Sequence, residues 1–296
     1  MVRTALLLAF GVLSLFTEAT AQIRLPRLIS DGAVLQRDVP CAVWGWAAAH
    51  ENITLELNGR KFTSQADGNG QWKIVLPSQP AGGPFEIRLS GTNEIILKDI
   101  LFGDVWVCSG QSNMELTMRR VADKYRSIVE ASQHNFIRQF EVPDRFDFKN
   151  ARTDFENGKW TALTSTSVLD FSAVAYFFAT ELHNKFNVPI GLINAAVGGS
   201  PAEAWLDESS LKSFPEAFSE MQLFKNDSLV QAIEQRNTAI SKKWFDQLQS
   251  KDELGQMARL PEFDDHDWQD FSLPGNWNRP TETPVNGAVW FRKHIT

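Results

Sequence analysis

The stretch that most limits the fold is Val188-Pro-Ile-Gly-Leu-Ile-Asn-Ala-Ala196, an almost unbroken apolar run. A half-buried strand alternates apolar with polar residues. A run of this kind instead reads as a strand covered on both faces, as in a parallel sheet packed between helices. An earlier apolar β-type run spans Val105 to Cys108. Between the two runs lies a helical pattern from about Phe171 to Phe186, with Phe171, Val174, Ala175, Phe178 and Leu182 as its apolar positions. With a further helical pattern after Ser112, the order strand, helix, helix, strand predicts an α/β fold with a parallel sheet.

The chain before residue 99 is of another kind. Cys41-Ala-Val-Trp-Gly-Trp46 and Ile53-Thr-Leu-Glu-Leu57 alternate apolar with polar or small residues, and Asn58-Gly59 and Asp67-Gly-Asn-Gly70 carry hairpin chemistry. Trp72-Lys-Ile-Val-Leu76 and Phe85-Glu-Ile-Arg-Leu89 keep the two-residue period. Residues 22–98 are therefore expected to form a small antiparallel β-sandwich that supports the site or contacts substrate, since it offers no cluster of acids, bases or metal ligands. At Asp99 the pattern turns to strands alternating with helices. Residues 207–254 read as helix, opening at Asp207-Glu-Ser-Ser210, with Leu229, Ile233, Ile240, Trp244 and Leu248 on one face and Gly255 as the stop. From about Leu260 the pattern is β-like again.

Within this frame Gly103-Asp-Val-Trp-Val-Cys-Ser-Gly-Gln-Ser-Asn-Met114 places a serine where a strand becomes a helix. The apolar run breaks at Ser109-Gly110, and Met114, Met118, Val121, Tyr125 and Ile128 follow in helical spacing. Backbone N–H groups at a helix N-terminus lack intrahelical partners and carry the positive end of the dipole, so a hydroxyl and a developing oxyanion both find donors there. Position alone leaves Ser112 two readings, a plain N-cap or a nucleophile. The string is not the Gly-x-Ser-x-Gly elbow, because Met114 stands in place of the second glycine. Gly198-Gly199-Ser200 ends the later apolar run. It reads either as an ordinary turn or as backbone that approaches a ligand and points N–H groups into a pocket.

Three blocks carry a family resemblance: Gly-Gln-Ser-Asn-Met over 110–114, Gly103-Asp-Val-Trp106, and Asn194-Ala-Ala-Val-Gly-Gly-Ser-Pro-Ala-Glu-Ala-Trp205. In order and spacing they resemble the sialate O-acetylesterase branch of the SGNH-hydrolase superfamily. The resemblance implies a flavodoxin-like SGNH-type α/β domain over 99–258, incomplete here, with Ser112 as nucleophile. It also implies a backbone N–H of Gly199, with Gly198 in reserve, in the oxyanion hole, and Gln111 and Asn113 shaping the pocket. The tail 259–296 resembles the opening strands of the jelly-roll sugar-binding module inserted in this branch. The implied activity is hydrolysis of acetyl esters on sialic acid or a related glycan, with no cofactor and no metal. In the resembled family the base is a histidine in a late Asp-x-x-His block, preceded by an Asn or Glu block. None of His50, His134, His183, His266 and His294 has Asp three residues before it, so the chain is expected to be the front portion of such an esterase. Two other readings stand beside this one: a catalytically inert carbohydrate-binding fragment, and an acetylxylan-type esterase on the same scaffold.

Composition bounds the partners. A net charge of −7 leaves no basic excess to attract nucleic acid or anionic lipid. Arg3, the apolar run Leu6 to Phe16 and Ala19-Thr-Ala21 have the make-up of a signal peptide over residues 1–21, too short to span roughly 30 Å of hydrocarbon. The protein is thus expected to be exported to the periplasm or extracellular space without a membrane span. Cys41 and Cys108, the only cysteines, form either one bridge or two separate buried thiols, and nothing places Cys108 at an exposed turn as a nucleophile would require. The 10 Trp against 2 Tyr suit a sugar-stacking surface and a β-sandwich core alike. Arg119 and Arg120 either meet a sugar carboxylate or stand in solvent. Asp264-Asp-His-Asp267 bunches metal-ligand types on adjacent positions that point apart, so no metal site is expected. Oligomeric state is left open.

Overall fold

The structure is a computed structural model that describes residues 22–255, 257–275 and 288–293. The expected signal peptide, His294 and much of the expected jelly-roll opening lie outside the described residues. The chain divides into two compact units, residues 1–207 and 208–296.

The first unit opens with seven strands: β1 (Val34–Gln36), β2 (Cys41–Trp46), β3 (Asn52–Leu57), β4 (Arg60–Gln65), β5 (Gln71–Leu76), β6 (Gly82–Ser90) and the long β7 (Glu94–Gly110). Then follow α1 (Ser112–Glu115), α2 (Arg126–Ala131), β8 (His134–Glu141), β9 (Trp160–Leu163), α3 (Ala173–Phe186) and β10 (Ile190–Ala196). This is a mixed α/β fold with a large sheet, ordered β4-β3-β6-β7-β10-β8-β9, and β1 also pairs with β7.

β7 is the spine. Its first half pairs antiparallel with β6, its middle pairs parallel with β1, and its last seven residues pair parallel with β10, from Asp104↔Ile190 to Gly110↔Ala196. The pattern change at Asp99 coincides with a β-bulge. Between Ile87↔Leu97 and Phe85↔Ile100 one extra residue enters β7, and Asp99 takes φ 59°. The strand itself runs on through the bulge. Arg138 on β8, 2% exposed, holds this point by donating to the Asp99 carbonyl at 2.6 Å, Asp99 Oδ1 at 2.8 Å and the Gly32 carbonyl at 2.7 Å.

Two cores result. The inward faces of β2 and β5, with Val43, Trp72, Ile74 and Leu76, share one with Ile53, Leu55, Ile87, Leu89, Ile100 and Phe102. The second lies under α3, where Met118, Ile137, Phe171, Ala175, Ala179, Ile190 and Leu192 are buried. The apolar run over β10 is buried along most of its length, as its composition demands. Asn58 and Gly59, at φ 51° and 73°, form the hairpin turn between β3 and β4 that positive φ at both central residues requires.

Several helical expectations are corrected. The pattern from Met114 to Ile128 is not one helix. α1 stops after one turn because Thr117 makes an isolated bridge with Ser172, the Met118 N–H donates to the Phe171 carbonyl, and the Ala173 N–H donates to the Leu116 carbonyl. The apolar side chains still point inward, from separate turns. α3 starts at Ala173, where the Ser172 hydroxyl caps the Ala175 N–H. Its buried face is Ala173, Ala175, Tyr176, Ala179 and His183, while Val174 and Phe178 are exposed. Small residues let this helix lie close to the sheet, and the Phe178 ring meets Trp106 edge-on at 5.0 Å.

In the second unit the expected helix is three: α4 (Glu208–Leu211), α5 (Pro215–Phe224) and α6 (Asp227–Lys251). Pro215 can open a helix but not continue one, and Asn226 Oδ1 caps α6 by accepting from Ser228 and Leu229 N–H. The β-like tail forms no strand among the described residues. Arg292 instead ties it to the carbonyls of Ala258, Leu260 and Pro261. Among the described residues no helix is long and apolar enough to cross a membrane, and no group of three or more His, Cys, Asp or Glu could hold a metal ion.

Candidate active site

Ser112 follows the C-terminal end of β7, and Gly198–Gly199 follow the C-terminal end of its parallel neighbour β10. Crevices at the carboxyl ends of parallel strands are where open α/β sheets bind ligands. The Val197 N–H donates to the Gly110 carbonyl at 3.0 Å, so the two turns leave the sheet side by side. Gly199 has φ +78° and a Ser200 N–H to Val197 carbonyl bond at 3.2 Å, the third position of a type II turn, and a Cβ there would meet open space. At Gly198 a Cβ would collide with the Glu115 carboxylate, so α1 and the glycine turn are in contact.

Gln111, not Ser112, is the N-cap of α1, and it caps with no side-chain bond. Ser112 is the first helical residue; it is exposed, and its Oγ lies 3.5 Å from Gln111 Oε1. Asn113 is exposed beside it. With only one helical turn behind Ser112, the dipole is small, and what remains of the expected advantage is the unpaired first-turn N–H groups.

Beneath the turns lies a polar network that sequence reasoning missed. Asn194, 2% exposed on β10, donates from Nδ2 to Glu141 Oε2 at 2.8 Å, and Gln139 Nε2 donates to the same oxygen at 2.9 Å. Gln139 Oε1 accepts the Ser172 N–H at 3.1 Å, which joins the network to the start of α3. Glu141 keeps an exposed edge, yet crowding by protein raises its carboxyl pKa above the ordinary value, with Asp144 and Glu115 adding to the rise and the Asn194 bond opposing it. Asn194 Oδ1 is buried without a partner. The available signal was a polar residue inside an apolar strand, Asn194 within Ile190–Ala196.

His134 and His183 lie elsewhere. Ile137 of β8 is level with Ile190 and Asp104, six residues before Gly110, and His134 lies three residues further back, so it opens β8 about 30 Å down the sheet from Ser112. His134 and His183 pack ring to ring at 4.0 Å, and His183 Nδ1 is 2.7 Å from the Val188 carbonyl. Arg119 pairs with Asp170 in solvent, and Arg120 is exposed. Both cysteines are free thiols, and burial raises the pKa of Cys108, which suits packing rather than attack.

A family model described as carbohydrate esterase, sialic acid-specific acetylesterase, matches residues 102–234. Over those residues the chain is similar to the sialic acid-specific acetylesterase family. The match takes in both turns of the candidate site. Relatives of this acetylesterase family include the sialate O-acetylesterases of Pongo abelii, 33% identical over 208 residues, and of Homo sapiens, 32% identical over 208 residues. Each alignment covers 64% of this chain and 40% of the relative, so the chain spans about 40% of the length of these relatives. A solved carbohydrate acetylesterase from Xanthomonas citri superposes with a TM-score of 0.62 at 42% identity, over 64% of this chain and 43% of that one.

Proposed function

We propose that the protein carrying this chain is an exported, serine-dependent O-acetylesterase acting on O-acetylated sialic acid or a related glycan. One observation carries the reading: the exposed Ser112 and the Gly198–Gly199 turn leave neighbouring parallel strands at the same edge of the sheet. The acetylesterase relatives support the reaction class. The finer architecture, an SGNH-type sheet preceded by a β-sandwich over 22–98 and followed by an inserted jelly roll, rests on the family resemblance. Export rests on residues 1–21.

In this mechanism Ser112 Oγ attacks the acetyl carbonyl carbon while its proton passes to a general base. The carbonyl π electrons move onto oxygen, where the N–H groups of Ser112 and Gly199 stabilise the charge. Collapse breaks the bond to the sugar oxygen, which leaves with a proton as the free hydroxyl. Water then cleaves the acetyl–Ser112 ester to acetate. The base is a histidine from outside the described residues. Gln111 and Asn113 shape the acyl pocket, and the Glu141–Asn194–Gln139 network holds the end of β10.

The test compares acetate release by the full-length protein from O-acetylated sialic acid and from acetylated xylan. The reading expects faster release from the sialic acid ester and loss of release in Ser112→Ala. Faster release from xylan favours the acetylxylan-type reading, and activity that survives Ser112→Ala removes Ser112 from the chemistry.

A further inference from the structure

The geometry points to a second carbohydrate site on the outward face of the β2–β5 ribbon, built to hold an oligosaccharide that carries a carboxylated sugar. Alternation along β2 sends Val43 and Gly45 inward and leaves Trp44 and Trp46 on the outer face. Across the ribbon Trp44 is paired with Lys73, and Trp46 with Gln71. These residues line a groove of about 770 Å³, with Ser64 and Gln65 of β4 on its wall. That volume lies within the range of about 300–1,000 Å³ found for ligand clefts.

The floor is rigid. Arg24 and Trp46 exchange both backbone hydrogen bonds, at 2.8 and 2.9 Å, and the Arg24 guanidinium covers the Trp46 ring at 3.8 Å while paired to Asp154 at 3.0 Å. Trp44 is 39% exposed on the outer face of a ribbon whose inner face buries Val43, Trp72, Ile74 and Leu76. Around it, among the described residues, the side chains of Ser64, Gln71 and Lys73 make no hydrogen bond or ion pair. Asp67, also in the wall, spends Oδ1 on the N–H groups of Asn69 and Gln71. An indole face bordered by unengaged hydroxyl, amide and ammonium groups matches a sugar ring, whose C–H face is apolar and whose edge is polar. Lys73 supplies the cation for a carboxylate.

The proposal is independent of Ser112, and the experiment keeps the two apart. The chain, carrying Ser112→Ala, is titrated with sialyllactose and with lactose, followed by calorimetry and tryptophan fluorescence. Sialyllactose is expected to bind more tightly than lactose. Trp44→Ala, at an exposed position, should weaken both by about tenfold with unchanged circular dichroism. Lys73→Gln should bring sialyllactose down to the lactose level. Absence of sialyllactose binding to the parent, or binding unchanged in Trp44→Ala, overturns the site. Loss of acetate release with binding intact touches only the esterase reading.

Discussion

The Glu115 carboxylate lies against Gly198, so close that a β-carbon there would overlap Oε2, and this sets the turn carrying Ser112 beside the turn after β10. The two glycines of that turn therefore predict different outcomes. In Gly198→Ala the obstacle is the far end of a flexible side chain, so Glu115 swings aside and stability falls by under about 1 kcal/mol, within the range of ordinary surface changes. Activity should fall more than stability. Gly199→Ala meets open space but keeps a left-handed φ of +78°, so it should lose about 1–2 kcal/mol to strain. Chemical denaturation paired with acetate release separates the two.

Glu141 predicts a pH dependence. Its carboxyl pKa is raised by burial above the ordinary 4.5, so the folded state binds the proton more tightly than the unfolded chain does. Its contribution is fully present below pH 4.5 and is lost as pH rises through the folded value. Glu141→Gln, which is always neutral, should flatten the fall in stability on that rise. Melting temperature against pH for both proteins checks it, and identical slopes would argue against a strained carboxylate.

His134 works in the opposite sense. Burial, and then the neighbouring His183, lower its pKa below 6.5, so the unfolded chain binds the proton first. Stability from this residue is present above pH 6.5 and is lost as pH falls below it. His134→Gln should lose less stability than the parent between pH 6.5 and the lower folded value, measured by urea midpoints.

Arg138 is a structural prediction. Its guanidinium is buried among the Gly32 and Asp99 carbonyls and the Asp99 carboxylate. Arg138→Met strands those acceptors and should cost about 3 kcal/mol. Arg138→Lys should recover only part, because an ammonium cannot span the same fork.

What the sequence revealed follows from how local each signal was. The apolar run of β10, the Asn58–Gly59 hairpin and the serine at a strand end are decided by neighbours in the chain, and they hold in the structure. The helix expected to continue from Ser112 failed because Leu116–Met118 bond to residues 171–173, which no local pattern reveals. The apolar face of α3 was read in part: Phe171, Ala175 and Leu182 pack into the core, but the buried Ala173 and Ala179 were outweighed by the larger Val174 and Phe178, which the sheet leaves outside. The Glu141–Asn194 bond joins residues 53 apart, so only the strand register could show it.

The most direct test of Ser112 as nucleophile is to catch the acyl intermediate. The full-length protein, mixed with O-acetylated sialic acid and quenched in acid within the first turnover, is digested and read by mass spectrometry. The account predicts an acetyl group on the peptide carrying Ser112, and none in Ser112→Ala. Acetylation of a different residue, with acetate still released by Ser112→Ala, would contradict it.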